Sequence, residues 1–299
     1  MNELKGAGII DSRLIASYQA CKKLNAEHGK TYYLATLLLP PAKRPFVHAL
    51  YGFARYADEI VDDLASTLSD VEKAEALRNW GEGVLADIDK GGSDDPIGAA
   101  FVDTINRWKI PKEYVRAFLD SMTMDLTITE YQTYDDLYKY VYGSAAVIGL
   151  QMVPILEPLS DEAFKSAQSL GVAFQLANFI RDVSEDLDRG RVYLPLQDLA
   201  LHGVTRADLE TRVLTPGIID ALKFQIARVR TLQAEATAGI QLLHPSSRPC
   251  IEAASELYCG IVDEVEKVNY EIFSHRAKTS TWRRLKVFLP ALQRARAAR

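Results

Sequence analysis

Apolar residues recur with the 3.6-residue period of an α-helix along most of the chain, and strand signals are almost absent. Short breakers that contain glycine or proline separate these patterns, at 89–96, 157–158, 215–217 and 244–249. Helix starts carry capping residues, since Glu72 follows Ser69 and Asp208 follows Thr205 at three residues' distance. The sequence therefore predicts an all-α fold. Residues 189–203 are the exception, because two glycines and a proline interrupt them and predict an ordered loop.

The composition of the 299 residues is that of an ordinary globular protein, with 48% hydrophobic and 25% charged residues. A formal net charge of −5 does not suit a nucleic-acid-binding protein, so we expect no nucleic-acid partner. The three cysteines form no CxxC pair, which is typical of a reducing compartment. The start of the chain shows no signal-peptide pattern, and the uncharged run 140–156 is shorter than the roughly 20 residues of a spanning helix. We expect a cytoplasmic protein.

The end of the chain is basic. No acidic residue follows Glu271, whereas eight lysines and arginines do, interleaved with Trp282, Leu285 and Phe288. Residues 277–299 are therefore predicted to be a basic tail with two alternative roles. A helix docked on the core with a solvated positive face is favoured, and peripheral contact with the inner face of the membrane is the alternative.

Two aspartate pairs have a four-residue spacing, Asp58 with Asp62 and Asp182 with Asp186. On a helix each pair shares one face, and the like charges destabilise it by about 0.2–0.5 kcal/mol. A divalent cation would compensate. Mg²⁺ is typically held by one or two carboxylates together with phosphate oxygens and water, and Mn²⁺ is the alternative ion.

The helix around the second pair is apolar on nearly all sides over 170–180 and is predicted to be buried. Gln175 and Asn178 continue the line of Asp182 and Asp186 along it. Burying ionised groups without partners costs several kcal/mol, so this line must face a polar cavity or a bound ion. The alternative is a structural network of ion pairs with nearby arginines, which are Arg181, Arg189 and Arg191.

The helix around the first pair carries Tyr51, Arg55, Asp58 and Asp62 in one stripe opposite an apolar face. An ordinary surface helix has the same pattern, in which Arg55 neutralises Asp58 locally. Together, the two stripes describe a clamp for Mg²⁺ and diphosphate, because arginine offers bidentate contacts to phosphate oxygens. A complete P-loop and the patterns GxGxxG, HExxH and GxSxG are absent.

Several segments resemble the squalene/phytoene synthases, which join two allylic isoprenoid diphosphates head to head. They are HGKTYY at 28–33, ALYGFAR at 49–55, DEIVD at 58–62, NFIRDVSED at 178–186 and RGRVYLP at 189–195. The details are most similar to the bacterial phytoene synthases, which make a C40 carotenoid precursor from two geranylgeranyl diphosphates. The resemblance implies a single all-α isoprenoid-synthase domain over residues 1–299, built as a helical bundle around a central cavity.

The resemblance also implies the residues of the site. The ligands of Mg²⁺ would be Asp58, Asp62, Asn178, Asp182 and Asp186. The four aspartates are the expected catalytic residues together with Arg55 and Arg181. Substrate contacts are expected from Tyr51, Gln175, Arg191, Tyr140, Tyr258 and Arg276. Residues 142–149 correspond to a small-residue segment along which substrate chains approach the backbone.

The expected reaction starts as Mg²⁺ and arginines stabilise a departing diphosphate, and the second substrate's double bond attacks the allylic cation. A cyclopropyl diphosphate results. By resemblance, its rearrangement gives phytoene without NADPH, whereas squalene synthases use NADPH. The aromatic rings of four residues would line an apolar tunnel near the cation, and the alternative is that they are ordinary core residues. These candidates are Phe53, Phe174, Phe179 and Tyr140.

Two alternative functions stay open. One is a squalene or dehydrosqualene synthase that uses two farnesyl diphosphates, and the other is a non-enzymatic relative that acts as an assembly scaffold. A head-to-tail prenyl synthase is not favoured, because neither acidic helix contains DDxxD. Retention of both acidic pairs with Arg55 and Arg181 argues against the scaffold.

Overall fold

The computed structural model describes residues 3–62 and 68–299, with the backbone alone for Asp62. These residues form helices and no strand, and only two isolated β-bridges occur among them, Glu130 with Val192 and Pro158 with Leu243. The predicted all-α fold is confirmed. No helix in the described part of the chain combines the length and the apolar character needed to cross a bilayer.

The described residues form sixteen α-helices, and a π-helical turn, Tyr142–Ala146, joins the eighth to the ninth. The α-helices are α1 (Glu3–Gly6), α2 (Ser12–His28), α3 (Lys30–Thr36), α4 (Arg44–Asp62), α5 (Asp70–Lys90), α6 (Gly98–Trp108), α7 (Lys112–Met124), α8 (Tyr134–Val141), α9 (Val147–Ile155), α10 (Glu162–Asp188), α11 (Leu196–Ala200), α12 (Arg206–Glu210), α13 (Pro216–Ile240), α14 (Arg248–Cys259), α15 (Ile261–Lys267) and α16 (Thr281–Ala297).

The local signals for helix starts are confirmed. Ser69 and Thr205 each accept a hydrogen bond from the backbone three residues on and form the two predicted capping boxes. The predicted loop 189–203 contains the short helix α11, which the sequence did not predict. Pro195 precedes it with φ −56°, a value already suited to a helix start, and Leu196 N donates to Tyr131 O at 2.9 Å, which holds this turn in place.

Helix α10 is the central element, with 27 residues packed against α9, the π-helical turn, α13, α14 and α15. The predicted burial of 170–180 is observed, since Leu170, Ala173, Leu176 and Ile180 are buried among these neighbours. Gly171, Phe174, Gln175 and Asn178 of this stretch line an internal cavity. One face of this apolar helix therefore packs against other helices, and another face lines the cavity.

The π-helical turn packs very closely against its neighbours. A Cβ atom on Gly143 would lie 2.0 Å from the carbonyl oxygen of Ala117 in α7. On the other side, a Cβ on Gly171 of α10 would lie 2.6 Å from the carbonyl oxygen of Ala145. Only glycine permits these backbone approaches, so the two glycines fix the position of the turn between α7 and α10.

The basic tail forms helix α16, which docks on α14 and buries Val287, Ala291 and Ala295. The favoured prediction of a docked helix is thus confirmed. Its outward face is not simply positive, however, because Trp282 and Leu289 are 83% and 55% exposed.

Candidate active site

One face of α10 carries both polar site residues and the wall of a long cavity. From Asp182 toward the helix start, positions three or four residues apart follow in the order Asn178, Gln175, Gly171, Ala167 and Ala163. Residues at this spacing share a face. All but Asp182 line the cavity, so the polar predicted residues and an apolar channel are continuous.

This apolar cavity has a volume of about 1100 Å³. It lies among α3, the π-helical turn, α9, α10, α13 and α14, and Tyr32, Ile148, Met152, Phe174 and Tyr258 are among its lining residues. The hydroxyl oxygen of Ser144 and the amide oxygen of Asn178 are buried there without a hydrogen-bond partner in the described part of the chain. The cavity is therefore suited to a hydrocarbon chain with a polar group near Asn178.

A cationic pocket of about 1260 Å³ adjoins the apolar cavity, and Asn178 and Tyr258 line both. Its cationic lining residues are Lys30, Arg181, Arg276, Lys278 and Arg284. No acidic side chain is among the described residues of this lining. Such a surface suits an anion with several oxygens, such as a diphosphate.

The second acidic pair lies beside this pocket on α10. Arg181 donates to both oxygens of Asp182 at 2.6 and 2.5 Å, and Arg276 donates to the same carboxylate at 2.9 Å. Burial alone would raise the pKa of Asp182, but these two arginines outweigh burial and hold the pKa below its usual range. The ion pairing that was the structural alternative is thus observed at Asp182.

Asp186 has the opposite electrostatics. Burial and the charge of Asp182 raise the pKa of Asp186 to about 8, and Arg189 and Arg191 offset this only in part. A cation at this position would favour the ionised carboxylate. Together with the unpartnered amide oxygen of Asn178, Asp186 provides the hard oxygen atoms that Mg²⁺ prefers, so these residues fit the metal.

The first acidic pair lies on α4. Arg55 donates to Asp58 at 2.7 Å and to Glu59 at 3.1 Å, as the surface-helix alternative predicts, and the side chain of Asp62 lies outside the described residues. Among the described residues, no three His, Cys, Asp or Glu side chains converge on one point.

Tyr51 connects α4 to the cationic pocket. Its ring packs on Gly29, where a Cβ atom would lie only 2.7 Å away. Burial raises the pKa of Tyr51, with Arg55 acting against this and Asp58 in the same direction. The close approach at Gly29 lets Tyr51 reach the pocket from the middle of α4.

Tyr140 and Arg191 are predicted site residues that line neither compartment. Tyr140 donates to the carboxylate of Asp125 at 2.7 Å, and Arg191 donates to the Asp125 backbone carbonyl at 2.9 Å. Burial raises the pKa of Tyr140 well above its ordinary value, and the charge of Asp125 adds to the effect. Tyr193 donates to the other carboxylate oxygen of Asp125 at 2.7 Å, so a hydrogen-bonded cluster forms next to the site.

Among the four predicted aromatic residues, Phe174 alone lines the described cavity, where it stacks on Tyr258 with ring centroids 4.8 Å apart. Phe53 belongs to the core and stacks on Phe101 at 3.8 Å. Phe179 stacks on Tyr193 at 4.3 Å outside the cavity. The ordinary core role, left open from the sequence, thus holds for most of these rings.

Sequence reasoning did not single out Lys30, Lys278 or Arg284, which also line the cationic pocket. The Nε atom of Arg284 is buried without a hydrogen-bond partner among the described residues, so this guanidinium can accept an anion. Lys30 lies in the first segment of the family resemblance, which was an available signal. The basic tail gave no signal that Lys278 and Arg284, rather than their neighbours, turn inward.

The chain is similar to known enzymes over nearly its full length. The sequence model of the squalene/phytoene synthase family matches residues 25–283. Phytoene synthase of Arthrospira platensis is 36% identical over 293 residues, which cover 94% of each chain. The 15-cis-phytoene synthase of Synechococcus elongatus is 34% identical, over 95% of this chain and 96% of that one. A crystal structure of a dehydrosqualene synthase in complex with a ligand has the same fold, with a TM-score of 0.85 and 23% identity over 95% of this chain and 98% of that one.

Proposed function

The chain belongs to the squalene/phytoene synthase family and is a prenyltransferase, and we propose that it joins two geranylgeranyl diphosphates head to head to form phytoene. The observation that carries this proposal is the junction of the apolar cavity with the cationic pocket at Asn178 and Tyr258. A hydrocarbon chain and its diphosphate each have a matching compartment there. The names of the relatives that match nearly the whole chain support the C40 product.

The depth of the apolar cavity supports a C20 substrate. Its wall on α10 runs from Asn178 to Ala163, fifteen residues, which is about 22 Å at 1.5 Å per residue. With C–C bonds near 1.5 Å, an extended C20 prenyl chain spans about 19 Å and a C15 chain about 14 Å. A C20 chain therefore fills the length of the cavity, whereas a C15 chain leaves its far end empty.

We assign the diphosphates to the cationic pocket, where Arg181, Arg276 and Arg284 bind and orient their oxygens. Mg²⁺, with Mn²⁺ as the alternative, would be held by the two acidic pairs and Asn178 and would stabilise the charge of the leaving diphosphate. The first C–O bond breaks with its electron pair on diphosphate, and the second substrate's double bond attacks the allylic cation. Loss of a proton gives the cyclopropyl diphosphate, and the apolar cavity keeps water from the cations.

We also propose that the outward face of α16 contacts an anionic membrane surface, since substrate and product are lipids. This face combines Trp282, Leu285 and Leu289 with Lys286 and Arg296, all exposed. Sedimentation with vesicles that contain an anionic lipid should carry the protein down, and a Trp282→Ala, Lys286→Gln double variant should stay in the supernatant. If purely zwitterionic vesicles carried down as much protein as the anionic vesicles, the role of charge would be contradicted.

The first test is the reaction itself. The protein is incubated with Mg²⁺ and either the C15 or the C20 all-trans allylic diphosphate, with and without NADPH, and hydrocarbons are identified by mass spectrometry. We expect a C40 product from the C20 substrate without NADPH. A C30 product alone would transfer the protein to the squalene branch, and no diphosphate release from either substrate would leave the scaffold as the function.

Matched variants of α10 test the assigned residues. Asp182→Asn should abolish product formation, whereas Asp188→Asn should retain it, because Asp188 is exposed and pairs with Arg212 on the protein surface. Equal activity of the two variants would contradict the role of the second acidic pair.

A further inference from the structure

The far end of the apolar cavity is built from few residues. Leu156, Ala163 and Leu243 line it and are each at most 4% exposed, and Ser166 lies one helical turn nearer the cationic pocket. We call these four residues the cavity floor. They come from the end of α9, the start of α10 and the segment after α13.

Two chain reversals close the cavity behind this floor. Leu159 N donates to Leu242 O at 2.6 Å and His244 N donates to Glu157 O at 2.9 Å, which ties the turn after α9 to the turn after α13. Lys43 also bonds to both turns, through Glu157 at 2.5 Å and Ser247 at 3.0 Å. The turns that follow Leu156 and Leu243 are thus held together by backbone hydrogen bonds and an ion pair.

Small residues of α10 and α13 line the last part of the cavity. Gly239 of α13 faces Ser166, and a Cβ atom on this glycine would lie 2.0 Å from the Ser166 side chain. Ala163, at the start of α10, leaves room where a longer side chain would occupy the end of the cavity. Along α10, Ser166 and Ala163 lie about 18 and 22 Å from Asn178, beyond the roughly 14 Å that a C15 chain spans.

We propose that the cavity floor is the element that selects the C20 over the C15 substrate, by receiving the fourth isoprene unit of the chain. This inference rests on the proposed function and names the residues that set its chain length. A shorter chain leaves the floor unfilled and loses its apolar contacts, while a longer chain meets Leu156 and Leu243. In an apolar pocket, gain or loss of one methylene changes kcat/KM by about 10-fold to 200-fold, so one isoprene unit is ample for discrimination.

The test compares two substitutions at different depths. Ala163→Leu fills the floor, and we expect it to lower the ratio of kcat/KM for C20 over C15 by at least about tenfold. Leu170→Phe is the matched control, because residue 170 lines the cavity about 12 Å below Asn178, within reach of both chain lengths. It should lower both values of kcat/KM by a similar factor and leave their ratio unchanged.

A second variant removes side-chain volume and tests the same idea in the opposite direction. Leu243→Ala deepens the floor and should let the C25 allylic diphosphate react, which the wild-type protein should reject. An unchanged ratio in Ala163→Leu, or a ratio that shifts equally in Leu170→Phe, overturns the inference, as does absence of C25 turnover in Leu243→Ala. If the wild-type protein itself makes no product from C20, the proposed function fails instead, so the two failures are distinguishable.

Discussion

His48 is a buried neutral histidine whose protonation should destabilise the fold. It lies on α4, one turn before Tyr51, and is 1% exposed. Its Nδ1 atom accepts from Asn25 at 2.9 Å, its ring stacks on Tyr33, and its Nε2 atom has no hydrogen-bond partner among the described residues. Burial lowers the pKa of His48 to about 4, and Lys22 acts in the same direction while Glu3 opposes it.

The magnitude follows from the difference between folded and unfolded pKa values. An unfolded histidine has a pKa near 6.5, so as the pH falls below about 6.5 the unfolded chain takes up a proton that the folded chain refuses until about pH 4. Stability is therefore lost as the pH falls through this window, at up to about 1.4 kcal/mol per pH unit. Between pH 8 and pH 5 this one residue should lower the free energy of unfolding by about 2 kcal/mol.

Urea unfolding at pH 8, 7, 6 and 5, followed by circular dichroism, measures this effect. His48→Gln cannot take up the proton, so its free energy of unfolding should fall by about 2 kcal/mol less than that of the wild type over this range. The control is His275→Gln, at an exposed position before Arg276, which should follow the wild type. If His48→Gln and the wild type lose stability in parallel, a buried neutral His48 is not the cause.

Three further predictions concern close packing and a buried ion pair. Gly29→Ala places a Cβ atom 2.7 Å from the ring of Tyr51, so the KM for the allylic diphosphate should rise several-fold, and unchanged steady-state kinetics would contradict this. Gly83→Ala should raise the free energy of unfolding by about 0.5–1 kcal/mol, because the site in α5 is exposed and no atom lies within 4 Å of the new Cβ. A lower free energy of unfolding in urea would contradict this. Asp198→Ala removes the carboxylate that Arg228 contacts at 2.7 Å and should lower the free energy of unfolding by about 3 kcal/mol, whereas a change below 1 kcal/mol would show that solvent replaces the pair.

Local signals were enough to predict most of the fold. Helical periodicity and capping residues such as Ser69 and Thr205 act within a few residues, and both are present as predicted. The π-helical turn could not be predicted in this way, because it depends on contacts between Gly143 and α7, which are distant in sequence. The same holds for α11, whose position depends on a backbone hydrogen bond to Tyr131.

The candidate site was predictable where a polar residue interrupts an apolar helix. Asn178 and Asp182 stand out on α10 for this reason, and the cavity and pocket meet at Asn178. The tail is different, because Arg283 and Arg284 are neighbours of identical type with opposite environments. Arg283 pairs with Asp263 at 2.7 Å, and Arg284 lines the cationic pocket. The docking angle of α16 decides between them, and this depends on tertiary packing rather than on the local pattern.

The π-helical turn at Tyr142–Ala146 makes the chain sensitive to length changes at that point. Deleting one residue there would restore a regular α-helix and rotate α9 by about 100° relative to α8. Ile148, Gly149 and Met152 would then leave the cavity wall. Single-residue deletions and insertions between α8 and α9 should therefore abolish activity. Natural length variation is expected to accumulate in surface connections such as 89–96, which line neither the apolar cavity nor the cationic pocket.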